Sequence, residues 1–223
     1  MICTARPPFF FVLIAIAAVG CGSSVTEARV VTAPPPPAAA AAADLERYEL
    51  EAQHLQVEAD VSAGKAYTIA FPVAKGVMEL SPSHPEASSV TLDVDISSAT
   101  SSLAVVADVA KTRFLHTDRF PKSAFVSRGM QRGAQGLELF VDFTLHGTKK
   151  TLVVPATVEV TPCRARFSCA FAFSREAFGV VDDGSIEAFV SDEAVVRAVV
   201  DVARKGAPPS CTAGPGANAR AAR

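Results

Sequence analysis

Four histidines are the side chains here best suited to chemistry, because imidazole binds metal ions and transfers protons near neutral pH. They are His54, His84, His116 and His146, and each lies in a different segment. No pair has the spacing that brings metal ligands to one face of a strand or helix. The sequence therefore predicts no metal site and no cofactor. His146 is instead expected to hydrogen-bond the backbone at a strand corner.

Paired carboxylates suit general acid and base catalysis, and Asp93 and Asp95 form such a pair. They alternate with apolar residues over positions 90–96, so both point to the wet face of a strand, where two charges are simply solvated. The sequence also lacks the GxSxG, CxxC, P-loop and GxGxxG motifs. No catalytic residue is assigned, and the protein is not expected to be an enzyme.

Three of the five cysteines remain once Cys3 and Cys21 in the N-terminal segment are set aside. If Cys163 and Cys169 share one extended strand, about six residues of about 3.3 Å separate them, far beyond the ~7 Å that a disulfide spans between Cα atoms. We therefore predict that one of these two pairs with Cys211 in an oxidising compartment. The inward, apolar setting of Cys169 predicts an unreactive thiol.

The composition predicts one folded domain with an apolar interior. The chain has 223 residues, 49% of them hydrophobic, and a formal net charge of −2 at pH 7, so a single core is expected. No basic cluster alternates with aromatic residues, and no nucleic-acid partner is predicted. The 14 phenylalanines and the absence of tryptophan favour a wholly apolar interior, because the phenyl ring has no polar group to satisfy.

Residues 1–20 have the pattern of a lipoprotein signal peptide. Arg6 precedes the apolar run 9–19, which is too short to span a membrane and ends in small residues. The sequence Ala18-Val19-Gly20-Cys21 resembles the lipobox of bacterial lipoproteins, in which the cysteine is lipidated and becomes the new N-terminus.

The lipobox resemblance predicts a lipid anchor at Cys21 that attaches the protein to a membrane of the cell envelope, facing the periplasm. Gly22 stands where an aspartate would favour the inner membrane, so the outer membrane is expected. An ordinary cleaved signal peptide that happens to contain a cysteine is the alternative.

Residues 21–44 are predicted to carry the lipidated cysteine and to form a tether. Prolines at 34–37 favour an extended polyproline II backbone, and alanines follow at 38–43. Residues 205–223 are rich in alanine, glycine and proline and are expected to be disordered. The folded domain is therefore assigned to residues 45–204.

About eight segments of this domain alternate apolar and polar residues, which is the period-2 pattern of half-buried strands. The clearest are 55–61, 67–73, 77–80, 90–96, 137–145, 152–160, 165–173 and 194–202. A further strand at 186–190 is predicted to form a hairpin with the last of them. The absence of a βαβ rhythm favours an all-β barrel or sandwich, and an eight-stranded barrel is just wide enough for side chains or one ligand.

Residues 101–112 break this period and predict one short helix. Leu103, Val106 and Val109 have helical spacing, and they follow Ser101 and Ser102, which can cap a helix. The helix is expected to lie across one end of the barrel.

Four pieces of the sequence, taken in order, resemble the YceI-like domain family. They are residues 88–98, residues 114–127 with Asp118-Arg119-Phe120-Pro121 and Phe125, the corner at 143–148 (FTLHGT), and residues 173–179 (FSREAFG). Members of this family are lipocalin-like barrels of bacterial periplasms that bind polyisoprenoid or other long apolar lipids. The resemblance implies an all-β, lipocalin-like antiparallel β-barrel of about eight strands with one short helix. It also implies a long apolar lipid as partner, in a non-catalytic carrier or storage role.

The resemblance further implies that inward-facing apolar side chains line a lipid pocket. Those assigned to it are Phe71, Leu92, Val94, Phe114, Phe120, Phe125, Leu139, Val141, Phe143, Val154, Phe167, Phe171, Phe173 and Phe178. Periodicity alone does not distinguish a lined pocket from a filled core. A packed barrel that serves as a structural or interaction module of the envelope is therefore the alternative.

Five cations lie near predicted strand ends. The hypothesis is that they contact a polar or phosphate head group at the pocket mouth. They are Lys111, Arg113, Arg119, Lys149 and Lys150. An ordinary solvated surface is the alternative for these side chains.

Overall fold

The computed structural model describes residues 26–31, 44–133 and 136–212. The predicted signal peptide, the lipidated Cys21, most of the tether and the tail beyond residue 212 lie outside the described residues. In the part of the chain that is described, no helix is long and apolar enough to cross a bilayer.

Within the described residues, eleven strands form one sheet in which the paired strands are antiparallel. They are β1 (Arg29–Val30), β2 (Glu46–Leu50), β3 (Leu55–Ala63), β4 (Lys65–Ala70), β5 (Ala74–Leu80), β6 (Ser89–Asp95), β7 (Lys122–Gly133), β8 (Gly136–Leu145), β9 (Thr148–Val160), β10 (Arg164–Ser174) and β11 (Glu193–Ala203). The order across the sheet is β2-β5-β6-β7-β8-β9-β10-β11-β3-β4, and β1 lies beside β9.

Two bent strands explain how these elements make a barrel of about eight strands. β2 and β3 are halves of one strand, broken at residues 51–54, where the Glu51 N–H donates to Nδ1 of His54 at 3.2 Å. β4 and β5 are halves of the next, broken around Pro72, which has no N–H for the ladder. Since β2 pairs with β5 and β3 pairs with β4, the sheet curls on itself. The predicted all-β, lipocalin-like antiparallel barrel is confirmed.

The short strand β1 fills a gap in the barrel wall. β9 and β10 pair with each other over only part of their length and then separate. Residues 26–31 lie in the gap, where Val30 pairs with β9 and the Ala28 N–H donates to the oxygen of Ala172 on β10 at 2.8 Å. This segment satisfies backbone groups that would otherwise lack partners. The prediction of a tether over residues 21–44 is therefore wrong for residues 26–31, which belong to the barrel.

Most of the barrel interior outside the cavity is tightly packed. Alternate residues of β8, β9 and β10 point inward, as their period predicts, and Leu139, Val141, Val154 and Phe171 have no exposed surface. Each such side chain contributes about 1.5–3 kcal/mol relative to an exposed one. The packed core is therefore a large source of hydrophobic stabilisation.

A disulfide joins Cys163 to Cys211, with Cα atoms 5.3 Å apart. The prediction that Cys211 pairs with one of the two earlier cysteines is confirmed. Cys163 precedes the first residue of β10 and can turn toward Cys211, whereas Cys169 points into the core. The predicted disorder of residues 205–223 is wrong up to residue 212, because this bond accompanies a 3-10 turn at Pro209–Thr212.

The thiol of Cys169 is expected to be unreactive in the folded protein. Burial raises the pKa of this thiol to about 12, so almost no thiolate forms at about pH 8. Iodoacetamide should leave Cys169 unmodified in the native protein and alkylate it fully in denaturant, as peptide mass mapping measures. Alkylation of the native protein at the rate of a free thiol would contradict this.

Asp142 is a buried carboxylate on the outer side of β8. Its oxygens accept hydrogen bonds from Nε of Arg128 at 2.8 Å and from Oγ1 of Thr151 at 2.9 Å, and Nζ of Lys149 lies 2.7 Å away. Burial raises the pKa of Asp142, but the bonds from these three partners outweigh it and lower the pKa from 3.8 to about 2. The carboxylate therefore stabilises the fold above about pH 4, and this contribution is lost as the pH falls through about 2.

Asp142→Asn should lower the free energy of unfolding by about 2 kcal/mol at neutral pH. The loss of unfolding free energy should shrink as the pH falls toward 2, because the wild-type carboxyl then becomes protonated and uncharged, like the asparagine side chain. Denaturant unfolding at several pH values measures it, and Asp93→Asn, at an exposed position of β6, is the control. A penalty that does not change with pH would contradict the assignment.

Candidate functional site

A cavity of about 340 Å³ occupies one end of the barrel. We call this the mouth end. It is the end at which β6, β8 and β10 finish and β7, β9 and β11 begin. Side chains of β3, β4, β6, β7, β8, β10 and β11 form its wall. The volume lies in the range of small-molecule pockets.

A helical segment crosses the mouth end and forms the roof of the cavity. It consists of α1 (Ala104–Val109) and one π-helical turn (Ala110–Phe114). Val106 and Val109 face the cavity. The predicted short helix is confirmed, but it begins later than expected, because Oγ of Ser101 donates to a β4 carbonyl oxygen instead of capping the helix.

The opposite side of the mouth is the loop that follows β10, and this loop is folded around Arg175. The side chain of Arg175 is 4% exposed and forms an ion pair with Glu187. It also donates to three carbonyl oxygens, those of Val180 at 2.7 Å, Ser191 at 2.8 Å and Val190 at 3.0 Å. Because these contacts curl the loop, a 3-10 turn (Glu187–Phe189) stands where a strand was predicted at 186–190. That strand prediction is wrong.

A second ion pair joins the helix to this loop. Nε and Nη2 of Arg113 donate to the two carboxylate oxygens of Asp182 at 3.0 and 2.9 Å, and Asp182 is buried. Gly184 lies beside the pair, where a Cβ atom would stand 1.9 Å from Nη2 of Arg113. A larger residue at 184 would require the guanidinium to shift. The ion pair joins the two sides of the mouth as one rim.

Half of the residues predicted to bind the ligand line this cavity. They are Phe71, Leu92, Val94, Phe114, Phe125, Phe143 and Phe173. They come from four strands, from the helical segment and from the break after β4. The structure thus brings together residues that are far apart in the sequence.

The other predicted residues lie outside the cavity wall. Leu139, Val141, Val154, Phe167, Phe171 and Phe178 are buried in the core. The ring of Phe120 packs against His146 at the strand corner, with ring centroids 4.2 Å apart. Period 2 identifies the inward face of a strand but not which inward side chains pack against one another and which border empty space, so the sequence did not separate these residues from the lining.

Several lining residues were missed by the sequence analysis. Small and branched side chains of β3 and β11 belong to the wall, among them Ala59, Val61, Ala194 and Ala198. Their alternation was visible in the sequence, but nothing there shows which strands surround the empty end. Arg175 lies in the FSREAFG piece that carries the family resemblance, but nothing in the sequence gave it or Phe189 a place at the cavity.

The cavity wall is almost entirely hydrocarbon. The exceptions are Tyr67, Ser123 and Arg175, and Oγ of Ser123 already donates to the carbonyl oxygen of Thr144 at 2.8 Å. Among the described residues, no histidine, cysteine or carboxylate lines the cavity. The geometry therefore suits an apolar molecule that needs no hydrogen-bond partner.

Two histidines meet at the corner between β8 and β9. Nδ1 of His116 lies 3.0 Å from Nε2 of His146. Burial, and then the neighbouring His116 and Arg119, lower the pKa of His146, which also hydrogen-bonds the backbone of Phe178. The predicted backbone contact is present, whereas the contact with His116 had no sequence signal. In the described ranges, no three His, Cys, Asp or Glu side chains lie close enough together to hold a metal ion.

The five cations predicted near the mouth are engaged in other contacts. Three face carboxylates: Arg113 pairs with Asp182, Lys111 with Asp108 at 3.6 Å and Lys149 with Asp142 at 2.7 Å. Two stand over aromatic rings: Arg119 over Phe120 at 5.3 Å and Lys150 over Phe178 at 5.7 Å. A contact with a lipid head group stays a prediction.

Comparison with known families gives a match to the model of the YceI-like domain over residues 48–202. Comparison with curated proteins gives no match. Among solved structures, BcnA from Burkholderia cenocepacia superposes with a TM-score of 0.61 at 20% identity, covering 69% of this chain and 99% of that one.

Two further structures have a similar fold. A polyisoprenoid binding domain from Saccharophagus degradans, implicated in plant cell wall breakdown, has a TM-score of 0.54 at 14% identity and covers 71% of this chain and 98% of that one. The YCEI protein of Campylobacter jejuni has a TM-score of 0.55 at 16% identity, with coverages of 61% and 84%. At these identities the likeness concerns the fold alone.

Proposed function

The chain belongs to the YceI-like domain family, and on that premise we propose that its barrel binds a long apolar lipid of polyisoprenoid type in the cavity at the mouth end. The observation that carries the proposal is the hydrocarbon lining of that cavity. The related domain from Saccharophagus degradans, described as polyisoprenoid binding, supports the choice of ligand class.

Burial of methylene groups provides the binding energy. Each methylene moved from water to an apolar site contributes about 0.8 kcal/mol, so about ten of them offset much of the 4–15 kcal/mol that association costs. An isoprenoid chain has no polar atoms to satisfy, which matches a wall whose Ser123 and Arg175 already have partners. Length and shape set the specificity of such a site.

The proposed role is that of a carrier or store, without catalysis. The described cavity wall holds three side chains with polar groups, and two of them, Ser123 and Arg175, already donate to backbone carbonyl oxygens. The third is Tyr67, whose ring lies beside Nζ of Lys65. The alternative of a filled barrel that serves as an interaction module is less well supported, because the mouth end holds about 340 Å³ of empty space.

A lipid anchor at Cys21 completes the proposal and places the protein on a membrane of the cell envelope, facing the periplasm, at the outer membrane. The lipobox-like sequence before Cys21 supports it. The disulfide between Cys163 and Cys211 supports the periplasmic location, since such bonds persist in oxidising compartments. Cys21→Ser should remove the mass of the acyl chains from the protein, which intact-mass analysis measures.

Organic extraction and mass spectrometry of the purified full-length protein test the ligand. We expect a lipid series that differs by isoprene units, at about one molecule per protein. A protein that carries no lipid and takes none up from vesicles containing a polyisoprenoid would contradict the proposal.

A further inference from the structure

Apolar side chains surround the opening of the cavity and face solvent. Val105 on α1 and Phe189 in the opposite turn both line the cavity, yet they are 65% and 73% exposed. Leu103, just before α1, is 44% exposed. We call the two segments 103–106 and 186–190 the lips. Exposed apolar surface of this kind marks an interaction site.

We propose that the lips dock the mouth of the barrel onto a lipid bilayer, so that a lipid passes between membrane and cavity without crossing water. The inference rests on the proposed function, since it needs an apolar ligand. A lipid that leaves a bilayer through water exposes the whole length of its apolar chain to water. A continuous apolar path from Phe189 and Val105 into the cavity avoids that loss.

The lips carry little charge. Residues 103–106 contain no charged side chain. In the other lip the one charged side chain, Glu187, is held by Arg175 inside the loop. Large apolar side chains with few charges fit the boundary between head groups and acyl chains, where amphipathic surfaces settle.

The position of the N-terminal segment favours a bilayer as the occupant. The oxygen of Thr26 accepts a hydrogen bond from the N–H of Ala172 at 3.2 Å. Ala172 lies about 7 Å from the mouth end of β10 and about 26 Å from its other end, at about 3.3 Å per residue. The chain from Cys21 to Thr26 spans at most about 17 Å.

β1 runs toward the mouth, because Val30 pairs closer to the start of β9 than Arg29 does. An anchor at Cys21 therefore reaches the plane of the mouth when the chain turns back before Thr26, and it reaches the plane of the opposite end in neither direction. An anchored barrel can rest with its mouth toward the membrane or lie on its side. The apolar lips favour the first orientation.

The absence of tryptophan allows a direct test. In the chain from Gly22 to Arg223, which keeps every described residue and lacks the apolar run 9–19 and the anchor at Cys21, Phe189→Trp places the sole indole on a lip. Leu45→Trp is the matched control, since Leu45 is 39% exposed and lies at the opposite end of the barrel, next to β2. With phosphatidylcholine vesicles whose acyl chains carry bromine, we expect at least about twofold quenching of the Phe189→Trp emission and none of the control.

Phe189 also lines the cavity, so a brominated lipid inside the barrel would quench it too. Adding Ala198→Phe, which fills the cavity, removes that route. Quenching that persists supports docking. Quenching that disappears, or none in either protein, overturns docking, and lipid extraction from the same preparations decides the proposed function separately. Self-association in sedimentation without any vesicle response would assign the lips to a second copy and overturn the bilayer.

A second pair of variants measures the contribution of the lips themselves. Val105→Ser combined with Phe189→Ser should lower partitioning into phosphatidylcholine vesicles at least about tenfold. Val73→Ser is the control, since Val73 is 52% exposed but does not line the cavity. A double variant that partitions no more weakly than this control overturns the docking surface.

Discussion

Ala198→Phe is expected to abolish lipid binding and to leave the barrel folded. Ala198 is buried on β11, and its side chain forms part of the cavity wall. A phenyl ring at this position extends into about 340 Å³ of empty space and takes the room of several methylene groups. Bound lipid should fall at least about tenfold. A tenfold loss of affinity corresponds to about 1.4 kcal/mol of binding free energy, and the burial of two methylene groups already contributes more than that.

The stability of Ala198→Phe should stay close to that of the wild type, because the ring fills a void and does not displace packed atoms. Ala203→Phe is the matched control, at an exposed position of the same strand. Quantitative lipid extraction and thermal unfolding measure the two effects. Normal lipid content in Ala198→Phe would contradict the assignment of the site.

Arg175→Met should cause the largest loss of stability. It removes the donor to three loop carbonyl oxygens and the cation that pairs with the carboxylate of Glu187. Breaking a buried pair of this kind costs about 3–5 kcal/mol, which lowers Tm by roughly 10 °C in a protein of this size. Lipid retention should fall as well, because this loop forms one side of the mouth.

Arg164→Met is the control for the loss of an arginine. Its partner is Asp201, and its side chain is 61% exposed, so the expected cost is below about 1 kcal/mol. Calorimetry of the two variants measures the difference. Equal Tm values would show that Arg175 does not organise the loop.

The sequence was sufficient to predict the strands that form the packed core of the barrel. Leu139, Val141 and Val154 alternate with polar residues and point inward as expected. The helix over the barrel end was also predictable, since Val106 and Val109 have helical spacing. Both predictions depend on local periodicity, which an isolated segment already contains.

Features that depend on long-range contacts were not predictable. The loop takes its shape from one buried cation, Arg175, whose acceptors lie up to sixteen residues away. Residues 26–31 become a strand only because β9 and β10 separate and leave a gap. The empty space at the mouth depends on how side chains from seven strands meet, and Phe173 at the cavity and Phe171 in the packed core look alike in the sequence.

A crystal structure of the protein purified with its native lipid would show directly whether the cavity at the mouth end holds the ligand. We expect continuous density for one chain-like molecule in the cavity, in contact with Phe125, Phe143 and Phe173 and leaving between Val105 and Phe189. Lipid density on the outer surface alone, or a cavity that is closed and holds no ligand, would contradict lipid binding at the mouth end.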